Sequence, residues 1–329
     1  MNTRRKIIFA MGAGALAPLA SFAQAPGKVW RVGFLSQRHV DFVDADFIYG
    51  PFVQGLRELG YVEGKNLVID WRSAEGKSDR LPELAAELVQ LKLDVLAVAG
   101  TPASLAAQKA TATIPIVLIA VADPVDSGLV KSLARPGGNS TGLSIMSVEL
   151  APKRLEMLRS MAPKVTRVAV LVNPSNPSNS LVLKNVQAAG QTLGVKIFAV
   201  EASTPQEIAT AFSEIARQKA GALMVTQEAL FTQQKNQIVE LAAKQRLPSI
   251  SAFGEYVEAG GLMSYGQNLR DTFKRAATYV DKIFKGVKVS ELPVEQPMRF
   301  EMVLNMKTAK ALGLKVPQAI LIQATKVIE

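Results

Sequence analysis

Val29 to Ser36, Asp94 to Ala99, Ile114 to Val121, Arg167 to Val172 and Ala222 to Val225 are short runs apolar at nearly every position, with segments of helical period between them. A strand that is apolar on alternate residues can leave one face in water, whereas one apolar throughout needs cover on both faces. Helices supply that cover. Phe52, Leu56 and Leu59 recur at helical spacing, as do Leu81, Leu84, Ala85, Leu88 and Leu91, and later Ile208, Phe212 and Ile215. Strand and helix alternate in two series of similar size, and right-handed crossovers wind each into its own parallel sheet. The predicted fold class is therefore α/β, with two doubly wound parallel-sheet lobes joined by a hinge. A chain of 329 residues, 48% of them hydrophobic, has the material for two such cores.

The series divide at the stretch Ile119 to Ile145. It reads as an apolar strand, a turn at Asp123-Pro124, a short helix closed by Arg135-Pro136-Gly137-Gly138-Asn139, and a second strand leading out of the first lobe. The first lobe is expected over 26–145, joined by a helix at about 268–290 whose stripe is Phe273, Ala277, Val280 and Phe284. The second is expected over 146–267, with a long helix running from after Glu228 to Arg246, and over about 297–329, entered through the extended segment Pro293 to Pro297.

Residues 1–25 read as an export signal: Arg4-Arg5-Lys6, then the apolar Ile7 to Leu19, then small residues suited to cleavage up to Ala25. Thr3-Arg4-Arg5 fits a twin-arginine signal and also a Sec signal, so the expected location is the periplasm by either route. Beyond the signal no apolar run approaches the roughly 20 residues that span a bilayer. The formal charge of +10 drops to +7 when the three basic residues of the signal are removed. The remaining Lys and Arg are scattered among acids, which argues for a solvated surface and against nucleic acid. With no cysteine there is no disulfide or thiol nucleophile, and His39, the single histidine, cannot build a metal site alone, so neither metal nor cofactor is expected. Gly138-Asn139-Ser140-Thr141-Gly142 has the spacing of a nucleophile elbow. That motif requires a strand before the serine and a helix after it, the reverse of the order here, so no catalytic residue is assigned.

Ligands of open parallel sheets bind beyond the carboxyl ends of the strands. This rule selects Ser36, Gln37, Thr101 and Asp123 from the first lobe, and Asn173, Ser175, Glu228, Phe253 and Tyr265 from the second. Thr101 and Ser175 are equally suited to capping helices, and Asp123 to starting a turn with Pro124. Glu228 keeps its charge more cheaply at a cleft than in a core, where it would meet a cation or amine. Gly100-Thr101-Pro102 opens a helix whose N–H groups favour an anion.

Several segments resemble a known family. They are Ala122-Asp123-Pro124-Val125 with Leu133-Ala134-Arg135-Pro136-Gly137-Gly138-Asn139-Ser140-Thr141-Gly142, then Glu258-Ala259-Gly260-Gly261-Leu262-Met263-Ser264-Tyr265-Gly266, and Asn305 with Lys307-Thr308-Ala309-Lys310-Ala311-Leu312-Gly313-Leu314. The chain resembles the substrate-binding proteins of ABC transporters, in the branch related to the tryptophan/tyrosine-binding TrpX proteins, with a type I periplasmic-binding-protein fold. The resemblance implies a receptor, not an enzyme, that holds a small polar solute, an amino acid or an organic or aromatic acid, between its lobes. Its partners would be that solute, an inner-membrane ABC permease and its ATPase, with the receptor itself a monomer. The family's cleft positions fall on the loop before Asp41, on Thr101, on Asp123 and on the residue after Gln227. There this chain carries Glu228 where relatives often carry Asp. Two alternatives of other classes are an exported two-lobe enzyme, which predicts turnover, and a periplasmic ligand sensor, which differs in its membrane partner.

Overall fold

A computed structural model describes residues 28–38 and 42–329, with residues 42–48 described by their backbone alone. The export signal expected at 1–25, His39 and the end of the loop before Asp41 lie outside the described residues.

The first sheet forms from β1 (Trp30–Ser36), β2 (Leu67–Ser73), β3 (Val95–Ala99), β4 (Ile116–Val121) and β5 (Ser140–Ser144), in the order β2-β1-β3-β4-β5 and parallel throughout. Three helices alternate with these strands: α1 (Phe42–Glu58), α2 (Leu81–Val89) and α3 (Thr101–Ala110). The apolar strands behave as their composition requires. Side chains on one face of the sheet, including Val32, Phe34 and Ile119, share a core with Phe52 and Leu56, and those on the other, including Leu35, Leu96 and Leu118, pack on Leu84 and Leu88.

The second lobe begins with α4 (Ser147–Met161), β6 (Arg167–Val172), α5 (Pro177–Leu193), β7 (Lys196–Glu201), α6 (Pro205–Arg217) and β8 (Ala222–Val225). It continues through α7 (Ala229–Gln233), α8 (Lys235–Lys244), β9 (Ser249–Ser251), α9 (Gly254–Glu258) and β10 (Met263–Gly266). After α10 (Leu269–Phe284) come β11 (Glu301–Asn305), α11 (Met306–Ala311), α12 (Gln318–Gln323) and β12 (Lys326–Ile328). The sheet order is β12-β11-β10-β9-β8-β6-β7, and β11 runs antiparallel to β10 while the other neighbours are parallel. The long helix expected after Glu228 is interrupted at Gln234, so α7 and α8 are separate.

Helix α10 packs on α1 of the first lobe. Phe273, Ala276, Ala277 and Val280 enter the core of Phe34 and Phe52, Phe284 stacks on Trp30 at 4.1 Å, and Lys274 pairs with Glu58 at 2.8 Å. Gly55 makes the close crossing possible: a Cβ there would lie 2.8 Å from both Ala277 Cβ and the Lys274 carbonyl.

Three chain segments pass between the lobes, and hydrogen bonds tie them together. Residues 293–297 run beside β5, with Glu295 N–H donating to Gly142 O at 2.8 Å and Ser144 N–H to Glu295 O at 2.9 Å. Asn268 Nδ2 donates to Glu301 Oε1 at 3.0 Å, joining the second passage to the third. Arg154, 2% exposed on α4, donates from Nε to Tyr265 O at 2.7 Å and from a terminal nitrogen to Ser147 O at 3.3 Å, joining the first passage to the second. Burial pulls its guanidinium down to about 10, which still leaves it charged at neutral pH.

The short helix expected between Asp123 and Asn139 does not form; residues 124–128 are consecutive turns and no helix lies between β4 and β5. Asp123 Oδ1 accepts from Val125 N–H at 3.0 Å and from Asp126 N–H at 2.9 Å, while Gly128 and Gly137 take φ values of 75° and 67°. Local side-chain bonds and two prolines thus satisfy the backbone in turns before a helix can nucleate.

Candidate functional site

The carboxyl ends of both sheets face one cavity with about 90 Å³ of space open to water. From the first lobe it is lined by Ser36, Gln37 and Arg38 after β1, Gly100, Thr101 and Pro102 after β3, and Ala120 and Ala122 around the end of β4. The second lobe supplies Asn176, Gln227, Glu228, Thr232 and Phe253, and Tyr49 of α1 with Leu269 and Phe273 of α10 completes an apolar wall.

Backbone irregularity shapes two of these edges. The pairing of β4 with β5 slips between Leu118 and Val121, and Ala120 takes a φ of 57°, a left-handed conformation that alanine adopts at a cost. The cost is carried beside the cavity. Gly100, with φ 86°, lets β3 turn directly into α3, and no side chain caps the first turn of that helix. The N-terminal end of α3 therefore presents its positive partial charge to the cavity. Thr101 Oγ1 accepts from Ala122 N–H at 3.3 Å and from Ser178 Oγ at 3.1 Å. The second bond crosses between lobes and brings the start of α5 against the start of α3. A further interlobe approach, Ser78 Oγ to Ser175 Oγ, is 3.4 Å.

Glu228 is 3% exposed. Its Oε2 accepts from Asn176 Nδ2 at 2.7 Å and its Oε1 from Ala229 N–H at 3.0 Å, and no ion pair to it forms among the described residues. Burial pushes its carboxyl above the usual carboxylate range; the hydrogen bonds from Asn176, the backbone and Asn173 oppose that rise. Tyr49, 4% exposed, donates to Ser36 Oγ at 2.7 Å and has its own ionisation pushed up by burial. Its ring packs edge-on against Phe34 and Phe273.

Of the sequence-selected residues, Ser36, Gln37, Thr101, Glu228 and Phe253 meet at this cavity, whereas Asp123, Asn173, Ser175 and Tyr265 do not line it. Asp123 spends its carboxylate on its own turn. Asn173 Oδ1 accepts from Ser175 and Ser203, so Asn173 and Ser175 brace the loop behind Glu228. Tyr265 packs on Phe300 and offers its carbonyl to Arg154 at the interlobe passage. Sequence reasoning passed over Asn176, Tyr49, Arg38 and Phe273. Asn176 carried a signal, because it precedes Pro177 where a helix cap belongs and does cap α5 through Ser178 N–H. Tyr49 and Phe273 carried none beyond helical spacing.

The removal of Asp123's turn bonds is a test of its local role. Asp123→Ala is expected to lower stability by about 1 kcal/mol, as for a lost cap, and to leave solute affinity within about twofold, read by thermal melting and calorimetric titration. A tenfold loss of affinity would return Asp123 to the cleft.

Residues 40–328 match the family model described as ABC transporter substrate binding protein. The chain belongs to that family. It is 28% identical over 265 residues to a tyrosine-binding protein of Clostridioides difficile, covering 80% of this chain and 76% of the relative. A crystal structure of a Streptococcus ABC domain in complex with L-Trp is 25% identical, covers 91% of this chain and 99% of its own, and superposes with a TM-score of 0.82. The ligand-free, open structure of a Clostridium difficile substrate binding protein with adhesive properties is 28% identical over the same shares, yet its TM-score is 0.64. At nearly equal identity and coverage, this chain superposes more closely on the L-Trp complex than on the open structure. Solute-binding proteins only 13% to 15% identical share the two-lobed fold. Among the described residues no helix is long and apolar enough to cross a membrane, and no group of acidic or histidine side chains is placed to hold a metal.

Proposed function

We propose that this substrate-binding protein is a periplasmic receptor that captures an aromatic α-amino acid between its lobes and delivers it to an inner-membrane ABC permease. The observation that carries the reading is the buried Glu228 carboxylate, which makes no ion pair among the described residues, in a cavity shared with the uncapped start of α3. A zwitterion complements that pair of ends: its ammonium meets Glu228, and its carboxylate meets the N–H groups and hydroxyl around Thr101. Tyr49, Phe253 and Phe273 form the wall against which an aromatic side chain packs. The tyrosine-binding and L-Trp-bound relatives support the same solute class.

Binding requires no chemistry. A solute touching both rims favours the closed arrangement by the contacts it gains only there. The test is thermal melting and calorimetry with L-tyrosine, L-tryptophan and L-phenylalanine, with tyramine and phenylpropionate as analogues lacking one charged end. Saturation at about 100 times Kd adds about 2.7 kcal/mol of stability, and each analogue is expected to bind at least tenfold more weakly than its parent. If no amino acid raises the melting temperature, or a solute is converted to product, the reading fails.

A further inference from the structure

We infer that Arg38 and Glu255 form an electrostatic latch between the lobes, which sets how readily the receptor closes. Arg38 follows β1 in the first lobe, and Glu255 lies in the first turn of α9 in the second. A guanidinium nitrogen of Arg38 is 3.5 Å from Glu255 Oε2, and the two side chains are only 12% and 8% exposed. The pair stands at the edge of the solute cavity. Arg38 lines that cavity, and Glu255 lines an adjoining pocket that shares Gln227, Thr232 and Phe253 with it.

The pair belongs to opposite lobes, so it exists only when they are together. When the lobes spread, both groups return to water; when they close, both lose hydration and their attraction offsets part of that loss. Such a pair has a steep distance dependence and discriminates strongly between the two arrangements. The hydroxyl contacts Ser178 to Thr101 and Ser78 to Ser175 cross the same gap without charge, so they hold the lobes less selectively. The latch contributes to the affinity for any solute through the closed population, because apparent affinity scales with the fraction of protein in the binding-competent state. It also constrains solute charge. A second acidic group on the solute would compete with Glu255 for Arg38, loosening the closure that its own binding requires.

The inference rests on the receptor reading, and closure measured without solute separates the two. The sequence has no cysteine, so one spin label at Lys77→Cys, exposed on the rim of the first lobe, is unambiguous. Paramagnetic broadening of the amides of residues 175–180 then reports the closed population of the solute-free protein. Arg38→Gln and Glu255→Gln are each expected to reduce that population by about tenfold, and the double variant to fall well short of the roughly hundredfold that independent effects would give. Titration with L-tyrosine as probe should show matching losses of affinity, while circular dichroism and melting confirm an intact fold. Unchanged broadening in both single variants overturns the latch, and so do losses that multiply in the double variant, since independent effects exclude a mutual pair. If broadening changes as expected but no amino acid binds, the latch stands and the assignment of solute is what fails.

Discussion

Glu228→Gln is expected to weaken amino-acid capture by about 100-fold, corresponding to about 3 kcal/mol, the range for removing one charge of a buried, hydrogen-bonded pair. The substitution keeps the side-chain length and leaves a carbonyl for either Asn176 Nδ2 or Ala229 N–H, so the loss reads the charge and not the volume. Isothermal titration with L-tyrosine measures it. The pH dependence provides a second, independent readout. Burial holds the free carboxyl above its ordinary range, whereas a bound ammonium would lower it, so the solute binds the ionised form. Affinity is therefore flat above the free protein's value and falls, by up to tenfold per pH unit, as pH drops through it. For folding the sign is opposite. The folded chain holds this proton more tightly than the unfolded chain, so the stability cost of Glu228 is absent at low pH, grows as pH rises from the unfolded chain's value to the folded one, and is constant above it. Glu228→Gln should flatten both profiles. A variant that binds as the parent does, with the same pH profile, would show that the ammonium is held elsewhere.

Gly142→Ala is expected to cost about 4 kcal/mol or more, in the range reserved for backbone that cannot relax. Its φ is 142°, and a Cβ there would sit 2.1 Å from Leu118 O and 2.6 Å from Leu118 N. Those neighbours are backbone atoms of β4, which is hydrogen-bonded to β3 on its far side and cannot retreat. Gly138 is the control within the same segment: its φ is 66° but nothing lies within 4 Å of its Cβ position. Gly138→Ala should then cost only about 1 kcal/mol for the left-handed conformation. Calorimetric melting of the two variants should place Gly142→Ala lower by about 6 °C or more, since 1 kcal/mol moves a domain of this size by about 2–4 °C. Equal shifts would mean that conformation alone, and not the closeness of β4, explains the glycine.

The Arg-Pro-Gly-Gly-Asn-Ser-Thr-Gly segment illustrates how sequence and structure divide the work. Its glycines mark the place where the chain must turn and then pass tightly, and that much is legible because only glycine tolerates positive φ cheaply. What precedes it was expected to be helical and is a chain of turns, because the Asp123 carboxylate and Gly128 decide the backbone over distances too short for periodicity to show. Asp123 itself fits both a turn and a ligand contact on paper; the direction of one carboxylate separates them.

The sequence by itself determined the two-sheet α/β architecture, because a strand apolar on every residue has one way to bury both faces. It also located the rims of the cleft, since strand ends follow from strand positions, and Ser36, Gln37, Thr101, Glu228 and Phe253 lie there. Tertiary structure alone decided which rim residues share a cavity and what stands behind them. Tyr49, Asn176, Glu228 and Phe273 come from distant parts of the chain and meet because α10 packs on α1 and the two lobes close. Arg38 and Glu255 become a pair for the same reason. Local patterns record what each segment must bury; they carry no record of the rigid-body placement of two lobes, which depends on contacts between segments more than a hundred residues apart.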